Sequence, residues 1–169
     1  MSLSTPTVAG FLSFVRTIMG IGTDVLPDDS PVIPIAFSVA LNIVNPALCG
    51  VCIDATALGG VQVDQYTLAV YNLAGDNLLN YAQDATDAPD VEGSDPPAPY
   101  FKNLRKVWNM TGFTPGVVQS TNDESTGVSY VVQEAAKNFT LGNLQNLKTP
   151  YGRAYLAIAQ DYGEIWGID

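Results

Sequence analysis

Apolar positions along the chain recur mostly at helical spacing, broken by short polar segments. Residues 6 to 20 predict a first helix, with Thr5 as N-cap and Pro6 in its first turn. Phe11, Leu12, Phe14, Val15, Ile18 and Met19 make it apolar over most of its surface, so the domain or a neighbouring subunit must cover it. A second helix starts at Asp28-Asp29-Ser30-Pro31, with Ser30 as N-cap and acids beside the helix dipole, and runs to about Val44. Asn45-Pro46 stops it or restarts a turn. Residues 46 to 60 are apolar and hold Gly50, Gly59 and Gly60, which predicts a short helix and a loop. Residues 61 to 82 form the longest helix, with Tyr66, Ala69, Val70, Leu73, Ala74, Leu78 and Tyr81 on one stripe. Residues 99 to 110 predict another, with Phe101, Leu104, Val107 and Trp108 on one face and Lys102, Arg105 and Lys106 on the other. The last helix has Thr149 as N-cap and Pro150 at its first position. Tyr151, Ala154, Tyr155, Ile158, Ala159 and Tyr162 form its stripe, Gly163 ends it, and a tail of residues 164–169 follows.

The period changes between 116 and 134. Val117 to Thr121 and Thr126 to Gln133 read as β-rich runs around a polar NDES turn, a β-hairpin. A single hairpin is marginal in water, so Val117, Val118, Val128 and Tyr130 are expected to dock on something, such as the same arm of another subunit. The stretch 83–99, QDATDAPDVEGSDPPAP, reads as an exposed acidic loop. The fold class is mainly α, in one domain over 1–163 with the short tail beyond it.

Composition adds a constraint on the surface. The chain is 47% hydrophobic and 14% charged, where about 25% charged is usual. Much of its surface is therefore uncharged, and some of it is expected to meet partner subunits. Net charge is −10, and no Lys or Arg lies between Arg16 and Lys102. Tight nucleic-acid binding by counterion release needs the opposite sign. The acids read either as solubility and a mobile loop, or as a wall that nucleic acid passes without sticking. The run VAGFLSFVRTIMGIG lacks a basic leader and contains Arg16, so it fits a signal peptide poorly. It also falls short of the roughly 20 residues that span a membrane.

Candidate chemistry is thin. The chain has no His, so its commonest general base and metal ligand are missing. Cys49 and Cys52 stand at C-x-x-C spacing but are the only cysteines. A Cys/His zinc site cannot close on two ligands, and a thioredoxin-like pair would need a βαβ setting. ALCGVCIDA therefore reads as a close-packed segment between core helices. The loop acids lack the spacing of a calcium loop, and no phosphate-binding glycine motif is present. No catalytic, metal or cofactor residue is assigned. Lys102, Arg105 and Lys106 read either as a solvated face or as a contact for an acidic surface of a partner or neighbouring copy. Ile165, Trp166 and Ile168 read either as folding back or as an anchor inserted into a partner.

The order of these features resembles a known family. An acid-capped helix is followed by the long helix containing YTLAVYNLAG, a hairpin with GVVQS and GVSY, and then LKTPYGRAYLAIA. Over roughly residues 28 to 162 this resembles the head-to-tail adaptor (connector, head-completion) proteins of tailed bacteriophages. Thr149, Tyr151, Gly152 and Tyr155 carry the resemblance best. The chain departs in lacking a His often found in the middle helix, near where Gly75-Asp76 stand. The resemblance implies a helical bundle with a protruding hairpin or loop and no reaction, and the C-terminal tail is expected to be extended. It implies a dodecameric ring beneath the portal protein that extends the channel for passing double-stranded DNA and receives the next neck or tail protein. The setting would be the virion neck, assembled in the host cytoplasm and away from membranes. Tyr151, Arg153, Ile165, Trp166 and Ile168 are the expected portal contacts. Two alternatives stand beside it: another neck or tail protein such as a stopper or tail terminator, and a small hydrolase using paired carboxylates.

Overall fold

The structure is a computed structural model describing residues 5–46, 52–53, 63–84, 99–110, 112, 117–122, 127–131 and 145–161. Its described part is mainly helical: α1 is Val8–Thr17, α2 Val32–Ile43, α3 Gln65–Tyr81, α4 Tyr100–Val107 and α5 Pro150–Asp161. Two short antiparallel strand pairs accompany them. β1 (Cys52–Ile53) pairs with β2 (Val63–Asp64). β3 (Val117–Asn122) pairs with β4 (Gly127–Val131), Val117 opposite Val131 and Asn122 opposite Gly127.

The bundle is built around α3, which packs against α2 on one side and α5 on another, with α1 lying on α2 and α3. Its residues from Asn72 to Leu79 are buried without a break. Ala69, Ala74 and Gly75 keep its surface low enough for neighbours on several sides. Phe11 and Val15 of α1 and Ile33, Ala36, Phe37 and Ala40 of α2 complete that core. Phe11, Phe14, Phe37 and Tyr71 form an aromatic cluster with ring centres 5.9–6.5 Å apart. Such spacing suits offset and tilted rings.

Helix ends differ from the sequence expectations for local reasons. α1 is capped by Thr7 rather than Thr5, the Thr7 hydroxyl accepting from Gly10 N–H at 3.0 Å. It closes early because Gly20 takes a left-handed φ of 68°, with Met19 N–H donating to Phe14 O and Ile21 N–H to Val15 O. α4 closes the same way before Asn109, φ 51°. α2 starts after Pro31 with no side-chain cap, so the expected Ser30 cap is replaced. Asp28 turns instead to Arg16, whose guanidinium also donates to the carbonyls of Ile21 at 2.7 Å, Gly22 at 3.1 Å and Leu26 at 2.6 Å. One arginine thus gathers the whole α1–α2 connection. The apolar first helix is covered only in part: Val8 is 41% and Ile18 63% exposed. The helix and loop expected over 46–60 give way, at Cys52–Ile53, to a strand on Val63–Asp64. Cys49, most of the acidic loop and the tail 164–169 lie outside the described residues.

Candidate functional site

The T-P-Y-G motif at the start of α5 forms a joint with the middle of α3. Thr149 is wholly buried, and its hydroxyl has two partners. It accepts from Gly152 N–H at 2.9 Å, capping α5, and donates to the Asp76 carboxylate. Asn80 Nδ2 donates to the other Asp76 oxygen at 3.3 Å. Asp76 is 1% exposed, and desolvation pushes its pKa from 3.8 to about 6 against the opposing effects of the Thr149 hydrogen bond and the Lys148 charge. A buried carboxylate thus faces the amino end of a helix, where the dipole favours negative charge.

Tyr151 and Gly152 fit the same joint sterically. The Tyr151 ring lies where a Cβ on Gly75 would be 3.5 Å from its Cγ and 3.3 Å from Met19 Sδ. It meets Phe14 and Trp108 edge-on at 6.0 and 6.3 Å. Burial raises the Tyr151 phenol pKa, and Tyr100 adds to the effect. Gly152 is buried against the backbone of Asn146, whose carbonyl occupies the space a side chain would need. Tyr155, one turn on, is buried too.

A second joint closes the base of the acidic loop. Asp84 accepts from Phe101 N–H at 2.7 Å and Lys102 N–H at 3.0 Å, capping α4 from across the loop. Arg105 donates to Leu79 O at 2.8 Å and to Ala82 O, covering carbonyls at the end of α3. This corrects the grouping of Arg105 with an outward basic face: its guanidinium is committed inside the chain. Lys102 and Lys106 are exposed. Of the expected portal contacts, Arg153 is exposed, Tyr151 is half-buried in the aromatic cluster, and Ile165, Trp166 and Ile168 lie outside the described residues. Backbone alone is described for Val117, Val118, Val128 and Tyr130, all on β3 and β4.

The paired carboxylates that a hydrolase would need are not brought together at the two buried acids described. Asp64 caps α3, accepting from Tyr66 N–H at 3.2 Å. Asp76 lies twelve residues further along the same helix, roughly 18 Å at 1.5 Å per residue. Carboxylate pairs in glycosidases work at about 5–9.5 Å. Among the described residues no cluster of three metal-ligating side chains occurs, and no helix is long and apolar enough to cross a membrane. Compared with known protein families, characterised proteins and solved structures, the chain matches none.

Sequence reasoning noticed Asp76 and Thr149 separately but not their contact. The available signal was an acid in the middle of an apolar helix, with no cation at helical spacing to pair it.

Proposed function

We propose that this protein is a structural subunit of a phage neck: an adaptor that forms a ring under the portal, continues the DNA channel and joins head to tail. The observation that carries the reading is the role of the T-P-Y-G motif. Thr149, Tyr151, Gly152 and Tyr155, where the resemblance concentrates, are buried or packed: Thr149 and Tyr151 meet Asp76 and Gly75 of α3, Gly152 packs on the backbone of Asn146, and Tyr155 is buried. A motif used for docking helices suits a scaffold better than a reaction. The helical bundle and the net charge of −10 agree with a channel wall that does not retain duplex DNA. In this reading the hairpin protrudes to a neighbouring copy, and Ile165, Trp166 and Ile168 of the tail seat in the portal.

Co-sedimentation with the portal protein tests the reading. The full chain should travel with intact portal as a ring-sized complex. Deleting residues 164–169 should abolish that attachment and leave the circular dichroism spectrum unchanged. Failure of the full chain to bind intact portal would remove the proposal, whereas normal binding after the deletion would remove only the role of the tail.

A further inference from the structure

We infer that the α3–α5 contact is a proton-dependent latch: α5 stays docked while the Asp76 carboxyl is protonated and lifts away more readily, as one unit, once it ionises. The latch holds whether or not the chain is a neck protein. Asp76 and Thr149 meet inside the contact at 1% and 0% exposure. Water therefore reaches the carboxylate only when the contact opens. In the closed contact an ionised Asp76 has the Thr149 hydroxyl, Asn80 Nδ2 and the Lys148 charge in place of water. These offset part of the lost hydration, and burial still outweighs them, holding the pKa at about 6.

The other groups around α3 leave Asp76 to act alone. α2 has no titratable side chain. Arg16 of α1 is committed to Asp28 and to carbonyls of the α1–α2 connection. Asp64 caps the far end of α3. Arg105 of α4 serves the carbonyls of Leu79 and Ala82, while Lys102 and Lys106 are exposed, as is Arg153 of α5. Tyr151, beside Gly75, has its phenol pushed up and away from this range. The chain has no His, so no side chain of ordinary pKa titrates between about pH 5 and 7. The packing also lets α5 leave by itself. α5 packs on α3, with ring contacts from Tyr151 to Phe14 and Trp108. The packing of α1 and α2 on α3 does not pass through α5. A free 12-residue helix is marginal in water, so α5 melts once it lifts.

Amide hydrogen exchange of the full chain between pH 4 and pH 7 tests this, with each rate divided by its intrinsic chemical rate to give an opening constant. With pKa values of 3.8 when open and about 6 when closed, the opening constant of α5 should rise about fiftyfold from pH 4 to pH 7. Openings of α1 and α2 should not follow it. Asp76→Asn, which cannot ionise, should flatten the α5 profile while α5 stays docked. If that variant does not fold, the wild-type comparison of α5 with α1 and α2 decides alone. An α5 constant that changes less than about fivefold, an equal rise in α1 and α2, or the full rise persisting in Asp76→Asn would overturn the latch.

Discussion

At the scale of single residues, the Asp76–Thr149 contact makes stability depend on pH in a defined direction. Asp76 has its pKa raised to about 6 from 3.8 by burial. The folded state therefore holds this proton more tightly than the unfolded chain. The associated stability is fully present below pH 3.8 and is lost as pH rises towards about 6. Asp76→Asn removes that loss, so its stability relative to wild type should rise by about 2 kcal/mol between pH 4 and pH 7, at 1.36 kcal/mol per pKa unit. Paired denaturant titrations at both pH values measure this, and a constant difference would refute it. Thr149→Val deletes both the cap and the donor to the carboxylate. It should cost about 2–4 kcal/mol at pH 7. That cost should shrink in the Asp76→Asn background, a coupling read by a double-mutant cycle. Gly152→Ala should destabilise by about 1–3 kcal/mol, because backbone at Asn146 must move to admit the methyl group. A melting temperature equal to wild type would show that the turn has slack.

At the scale of elements, the helices were legible because burial writes a period of 3.6 into the sequence. Each of the five described helices lies within or across a predicted one. Their ends were less legible. Thr5 and Thr7 are equally good caps by type, and only the fold selects Thr7. Asp28 looked like a helix-dipole acid until Arg16 reached it across the turn. Arg105 fell on the polar face by spacing, yet its partners are carbonyls of α3, which leave no mark in a side-chain pattern. The Asp76–Thr149 contact escaped for a related reason. Its partners stand on different helices, and either one alone looks like an isolated polar residue. The Asp84 and Arg105 contacts should matter for the α3–α4 junction in particular. Asp84→Ala and Arg105→Ala are each expected to cost about 1–2 kcal/mol and to speed amide exchange in α4 and the last turn of α3 while α1 stays protected. Uniform acceleration over the whole bundle would contradict a local role.

At the scale of the whole molecule, α3 is buried, α2 carries no charged residue and the net charge is −10. α5 is fixed to α3 at its own amino end through the Thr149–Asp76 contact. The strands β3 and β4 stand between α4 and α5 in chain order. The neck reading proposes that the β3–β4 arm and the tail 164–169 reach neighbours while the bundle forms the ring body. Electron microscopy of the assembled phage particle, with the chain labelled by a fused tag, tests that reading most directly. The expected result is a ring of tagged subunits between portal and tail, with helical bundles around an open channel. Finding the tag elsewhere in the particle, or no copy of this chain in purified particles, would contradict it.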